Sequence, residues 1–306
     1  MTETVVVTGG LGRSGRWIVD RLADEGYETI AVDLEHPGFN ATPRENVDFR
    51  AADLTDRGEA FELLAEIDPD AVVHWAAIPA PERHAGGRVF ETNVQSAYAV
   101  LQAAGETGAR IVQASSESAY GFPFAAEPVA PDYLPIDEAH PMRPEDPYGA
   151  GKVVAEEVAK MVTRRHGVPV ASIRPSWIQL PGAYQCRGLV ERSEIAGGVG
   201  NFWSYVDVRD VAGIVLAALD ALGDGIEGHE PYLAAAADTY LGRPVVEGVR
   251  EVFGAVPDDV DVDVDVEGEA SALSTAKAAE ELGWEPAHDW REAIDEDVDG
   301  PELVVG

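Results

Sequence analysis

Hydrophobic positions along the chain fall into short β-branched runs that alternate with longer runs of helical period. Thr4 to Thr8 is a strand-like run that stops at Gly9 and Gly10. Arg13 to Asp24 follows with Trp17, Ile18 and Leu22 at core spacing, so a helix is expected there. Further strands are expected at Glu28 to Val32, Asn46 to Ala52, Asp70 to Trp75, Ile111 to Ala114 and Val168 to Arg174. Helices are expected at Arg57 to Ile67, at 88 to 107, and from Tyr148 to about His166. Strands alternating with helices predict an α/β fold built on a doubly wound parallel sheet. Beyond residue 205, Val206-Asp207-Val-Arg209-Asp210 opens a helix to about Leu222, Pro231 to Ala236 reads as a strand, and 243–253 and 274–282 read as helices.

Two long connections interrupt the alternation. Phe122 to Asp146 is proline-rich and acidic, too long for a simple turn, and long ordered loops of this kind tend to be functional. From 176 to about 205 the chain is rich in glycine and aromatics and reads as a substrate loop. Val260 to Val266 alternates strictly with Asp, as in a half-buried strand with an acidic outer face. The alternating valines and the lack of an EF-hand glycine pattern argue against a calcium site there.

Charge changes the picture at one level only. The net charge is −34, from 56 acidic and 22 basic residues, and the acids are spread along the whole chain. That distribution resembles the surface of proteins from salt-adapted organisms. It argues against nucleic acid or an anionic membrane as a partner, since both need basic patches. A single cysteine, Cys186, excludes an intrachain disulfide. No His/Cys cluster has metal-ligand spacing, so no metal is expected. No signal-peptide or transmembrane run is visible, and a cytoplasmic protein is expected.

The candidate chemistry begins at the first strand. Gly9-Gly10-Leu11-Gly12-Arg13-Ser14-Gly15 lies between strand and helix, the context in which such glycines mark a dinucleotide site. Gly9 permits the tight turn, Gly12 lets the backbone approach a pyrophosphate at the helix N-terminus, and Gly15 allows close packing. Asp33, ending the second strand, is placed to accept hydrogen bonds from an adenosine ribose and would repel a 2′-phosphate. NAD is therefore favoured over NADP, although Arg13 and Arg44 offer possible phosphate contacts. The small residues Ala76 and Ala77 would let adenosine lie against the backbone. Serines 115, 116 and 118 follow the fifth strand, at the carboxyl edge where ligands bind in open parallel sheets. Tyr148 and Lys152 are four apart, hence on one helix face, in a chain with only three lysines. A lysine cation beside a phenol favours the phenolate and is expected to bring the tyrosine towards neutral pKa, fit to take a proton from an alcohol.

These residues resemble the extended short-chain dehydrogenase/reductase (NAD-dependent epimerase/dehydratase) family across nearly the whole chain. The resemblance rests on Thr8 to Gly15, Asp33, Asp53-Leu54, His74-Trp-Ala-Ala77, Asn93, Ser115-Ser116 before Tyr120-Gly121, Tyr148 with Lys152, and Arg174-Pro175. Tyr205 to Ala212 and Lys277 to Trp284 match later family stretches. It implies a Rossmann domain over 1–175 plus about 206–236, and a small discontinuous substrate domain over 176–205 and 237–306. It implies Tyr148 as acid/base, Lys152 on the nicotinamide ribose, Ser116 on the reacting oxygen and Asn93 as support. The implied cofactor contacts are Gly9, Gly12, Arg13, Ser14, Gly15, Asp33, Asp53, Leu54, Ala76, Ala77, Asn93, Ala114, Tyr148, Lys152 and Pro175. A homodimer or homotetramer is the corresponding expectation.

The segment between Ser176 and Tyr205 is short and holds two arginines, Arg187 and Arg192, where a nucleotide diphosphate would call for several cations. Ser115 through Tyr205 looks closer to uronate dehydrogenases and sugar 1-dehydrogenases. The leading expectation is thus NAD(P)-dependent oxidation of a free aldose (pentose, hexose or uronate) at C1 to its lactone. A nucleotide-sugar 4-epimerase or dehydratase with tightly held NAD is the alternative, and a non-catalytic dinucleotide-binding protein a third. The sugar contacts expected are Pro79, Ser116, Glu117, Ser118, Ser176, Trp177, Gln179, Arg187 and Trp203, with Phe202 and Tyr184 nearby.

Overall fold

The computed structural model describes residues 2–38, 42–186, 188–189, 195–257 and 268–305. Its strands are β1 (Thr4–Thr8), β2 (Glu28–Asp33), β3 (Thr42–Pro43), β4 (Val47–Ala51), β5 (Ala71–His74), β6 (Arg110–Ala114), β7 (Val170–Pro175), β8 (Ile178–Gln179), β9 (Val206–Asp207), β10 (His229–Ala234) and β11 (Val304–Val305). Seven of them form one sheet in the order β10-β7-β6-β5-β1-β2-β4, and every pairing within it is parallel. The expected doubly wound Rossmann sheet is therefore present. β11 pairs antiparallel with β3, and β8 pairs parallel with β9. The expected strand at Val260–Val266 lies outside the described residues.

The chain starts in the middle of the sheet, builds outward through β2 and β4, then returns to place β5 on the other side of β1. The strand order reverses between β1 and β5, and the crevice outside the carboxyl ends of such a pair is where α/β sheets bind ligands. β1 is buried on both faces because successive side chains point opposite ways. Val5 and Val7 enter one core with Ile18, Val19 and Leu22 of α1 (Gly15–Asp24). Val6 enters the other, with Leu64 of α2 (Arg57–Ile67), Leu101 of α3 (Gly86–Thr107) and Val162 of α4 (Pro147–His166). The helix α5 (Val208–Asp224) closes the α1 side through Val211, Ile214 and Val215.

A third apolar cluster lies apart from both. Tyr120, Phe122, Ile136, Tyr184, Phe202, Trp203, Tyr205, Tyr240 and Leu273 meet there, so the two long connections and the C-terminal segment share one core. Phe122, Val199 and Tyr240 of that core border the same cleft as the glycine loop. No helix among the described residues is long and apolar enough to cross a membrane.

Candidate active site

One cleft of about 1090 Å³ runs from the glycine loop and Asp33, past Tyr148, to Trp177 and Tyr240. Its cofactor half is set by backbone geometry. Gly9 has φ +67°, and its N–H donates to the Val32 carbonyl at 2.8 Å, which ties the loop to β2. A Cβ on Gly15 would lie 2.0 Å from the Gly9 carbonyl oxygen, so α1 begins hard against the loop. Ser14 caps no N–H of α1 and instead accepts the Trp75 indole N–H at 3.0 Å. The Arg16 and Trp17 N–H groups of that first turn go to the Gly12 and Ser14 carbonyls, so what the start of α1 offers an anion is its positive dipole end, at Gly15 on the cleft. Asp33 accepts the N–H groups of Leu11 (3.2 Å) and Leu34 (2.9 Å) and lines the far end of the cleft with Asp53 and Leu54. Gly12, Arg13, Ala76, Ala77, Ala114 and Pro175 also line the cleft.

Two expectations about this half are corrected. Arg44 is paired with Asp20 and Asp24 on the α1 side and offers no phosphate contact. Asn93 does not line the cleft: its amide accepts from the Ile78 N–H at 2.8 Å and donates to the Ile78 carbonyl at 3.0 Å. It clamps the segment after β5, which agrees with a supporting role and not with contact to the cofactor. His74 supports the same segment. Thr8 Oγ1 accepts the N–H groups of Trp75 (3.1 Å) and Ala76 (3.2 Å), so its one proton goes to His74 Nδ1 at 2.8 Å. Burial, with Lys152 nearby, pushes His74 down to about 3, and the ring is neutral.

Tyr148 is delivered by a helix start written into the sequence. Asp146 Oδ1 accepts the N–H groups of Tyr148 (2.8 Å) and Gly149 (2.9 Å), and Pro147 occupies the first turn, where its missing N–H costs nothing. A Cβ on Gly149 would lie 2.4 Å from the Ser118 carbonyl, so only glycine lets α4 approach the turn Glu117–Tyr120 this closely. Tyr148 and Ser116 line the same stretch of the cleft, close enough for Ser116 to influence the phenol, and the Ser116 oxygen accepts the Ser118 N–H at 3.1 Å. Ser115 donates instead to Glu156 at 2.5 Å.

Lys152 does not do what its spacing suggested. Its ammonium donates to the Ala114 carbonyl at 2.7 Å and stands 5.5 Å from the centre of the Tyr148 ring. Burial pushes Tyr148 up to about 12, the Ser116 bond pulls against this, and Asp146 and Glu117 add to it. Burial also pushes Lys152 down to about 8, with Glu156 opposing. Both groups are buried and desolvation dominates each, so Tyr148 rests as the neutral phenol.

The sugar half differs from expectation in its aromatics. Pro79, Ser116, Glu117, Ser118, Ser176 and Trp177 line the cleft as expected. Trp203 does not: a Cβ on Gly198 would lie 2.3 Å from its indole and one on Gly248 would lie 2.7 Å from it, so the ring is core packed between two glycines. Phe202 is buried edge-on to Phe122 at 5.0 Å, and the Tyr184 hydroxyl donates to Asp207 at 2.5 Å. Gln179 braces its loop, accepting the N–H groups of Gln185 (2.7 Å) and Cys186 (3.3 Å). Arg187 and Arg192 lie outside the described residues. Residues not anticipated include Phe124, perpendicular to Tyr148 at 6.1 Å, together with Gln185, Asn201, Tyr240, Arg83 and Arg88. The length of the Phe122–Asp146 connection was a hint towards Phe124, whereas nothing local marks Tyr240. Among the described residues no group of His, Cys, Asp and Glu could hold a metal.

Comparison with known proteins places these features in context. Residues 5–233 match the model of the NAD dependent epimerase/dehydratase family. The chain is similar to the UDP-glucose 4-epimerase of Streptococcus mutans, with 28% identity over 95% of this chain and 94% of that one. It is 32% identical to the L-arabinose 1-dehydrogenase (NAD(P)(+)) of Haloferax volcanii, over 57% of this chain and 66% of that protein. A crystal structure of UDP-galactose 4-epimerase superposes with a TM-score of 0.67 at 26% identity, covering 95% of this chain and 96% of that one.

Proposed function

The chain belongs to the NAD dependent epimerase/dehydratase family, and on that premise we propose that it is a nucleotide-sugar 4-epimerase that works through a ketone, with Tyr148 as acid/base. One observation carries the chemistry: the buried Tyr148–Ser116 pair sits where the cofactor half and the sugar half of a single cleft meet. Similarity to 4-epimerases over nearly the whole chain supports this reading, which the sequence alone ranked second. The glycine loop, the uncapped start of α1 and Asp33 fit NAD, which when bound supplies the acceptor and donor of hydride. Ser116 steadies the sugar oxygen, Tyr148 exchanges its proton, and the buried walls keep water from that exchange. Inversion requires the ketone to turn over before it is reduced.

The second reading is the sugar 1-dehydrogenase, and a specific observation favours it. Beside Ser116 and Tyr148 the sugar half offers Glu117, Ser118, Ser176, Trp177, Gln185, Asn201 and Tyr240, which suit hydroxyl groups better than a diphosphate, and Arg83 and Arg88 are its two arginines among the described residues. The Haloferax relative points the same way. A boundary between a dinucleotide-binding domain (1–175 plus about 206–236) and a substrate domain (176–205 and 237–306) belongs to either reading, as does adaptation to high salt.

A panel in concentrated salt separates the two. The purified protein is expected to retain NAD through gel filtration and to interconvert UDP-galactose and UDP-glucose without net NADH. Net NADH from a free aldose, with both UDP-sugars untouched, would install the dehydrogenase instead.

Asp33 gives a second check. It lines the end of the cleft read as the adenosine-ribose site, so wild type is expected to bind NAD more tightly than NADP, and Asp33→Ser to narrow that gap about tenfold, roughly 1.4 kcal/mol. Fluorescence titration with NADH and NADPH measures both constants. Tighter NADPH binding by the wild type would mean that Arg13 or another cation decides the preference.

A further inference from the structure

Glu117 is the one acidic residue of the sugar half among the described residues that line the cleft. It follows Ser116 directly, is buried, and accepts the Ser176 hydroxyl on Oε2 at 2.9 Å. It shares the cleft lining with Tyr148 and Tyr240, and its charge acts on both. Among the described residues it forms no ion pair with Arg, Lys or His, unlike the buried Glu156. The titratable groups facing this corner are Tyr148 and Lys152 from α4, with Lys152 on the Ala114 carbonyl, and Tyr240 beyond β10, itself affected by Cys186. A carboxylate buried without a cation is costly, whereas the neutral acid is an acceptable hydrogen-bond donor.

We propose that Glu117 is a specificity-determining residue that donates a hydrogen bond to a substrate hydroxyl neighbouring the carbinol held by Tyr148 and Ser116. The proposal rests on the reading of the cleft as a sugar site and holds for either sugar reaction. Burial pushes Glu117 up to about 8, against the pull of the Ser176 bond, which supports a protonated group at neutral pH. The donor is then present below about 8 and lost above it, where the carboxylate can only accept. Sugar affinity should therefore fall with rising pH, while proton abstraction by Tyr148 improves.

The test is calorimetric titration of the NADH-loaded protein, in which neither sugar can be oxidised, with UDP-galactose and with L-arabinose at pH 6.5 and 9.5. In wild type, whichever sugar binds should lose about tenfold in affinity at the higher pH, the scale of one buried hydrogen bond. Glu117→Gln keeps the shape and a donor but cannot titrate, and should bind equally at both values. Glu117→Ala should bind weakly at both, with NADH affinity unchanged as the control for folding. A flat wild-type profile, or an undiminished fall in the Gln variant, removes the role assigned to Glu117 and leaves the sugar site standing. Binding of neither sugar by wild type at pH 6.5 overturns the sugar site and this role with it.

Discussion

Tyr148→Phe is expected to lower kcat by at least about 10²-fold, the lower end of what a general acid/base contributes, and to leave NAD affinity near wild type. Phenylalanine keeps the ring and its perpendicular contact with Phe124, and Lys152 keeps its bond to Ala114, so the fold and the cofactor half should survive. What goes is the hydroxyl that meets Ser116. The pH profile gives a second signature. Burial holds the wild-type phenol up to about 12, so the ionised fraction, and with it the rate of sugar oxidation, should climb throughout the range from neutral to pH 10. The Phe variant should lack that climb. Single-turnover absorbance of NADH measures both. Turnover within tenfold of wild type, with the same pH dependence, would remove Tyr148 from the chemistry.

Much of this site could be read from the chain because its signals are local. The glycines of the first loop lie three residues apart, Asp33 ends a strand, and Tyr148 and Lys152 lie one helical turn apart. The helix start at Pro147 announces itself through Asp146 and the proline. Features made by distant residues were not legible. Trp203 has the composition of a sugar platform, but Gly198 and Gly248 together enclose it. The pKa of Tyr148 depends on a burial that the i,i+4 spacing does not encode. Tyr240 reaches the cleft through tertiary packing alone. The pairs β3–β11 and β8–β9 are two residues per strand, too short for any period to register. The sequence offers Asn93 as a support, yet its partner, the backbone of Ile78, is visible only in three dimensions.

Glu156→Ala should have the largest effect on stability, about 3–5 kcal/mol, a large part of the roughly 5–15 kcal/mol available to a folded protein. Glu156 and Arg174 are 0% and 2% exposed. Arg174 Nε and Nη2 donate to the two Glu156 oxygens at 2.8 and 2.7 Å, a bidentate pair. Nη1 also donates to the Tyr120 hydroxyl and the Glu138 carbonyl, each at 2.9 Å. Against burial, Arg174 and Ser115 hold Glu156 below the usual carboxylate range, so its stabilising charge is present at neutral pH and is lost as pH falls through that lowered value. Alanine would leave a buried guanidinium without its counter-charge, which costs far more than the pair contributes net. Replacing both, as Glu156→Met with Arg174→Met, should therefore recover most of the loss, because neither charge is then stranded. Activity should not recover with it. Glu156 is also the charge that opposes the fall in Lys152 pKa, and with Ser115 it ties α4 to the end of β6, which fixes where Tyr148 meets Ser116. Urea unfolding in constant high salt, read beside kcat, separates the two roles. A single Ala variant within about 1 kcal/mol of wild type would show that water reaches Arg174, and the pair would then be a surface-like contact of little weight.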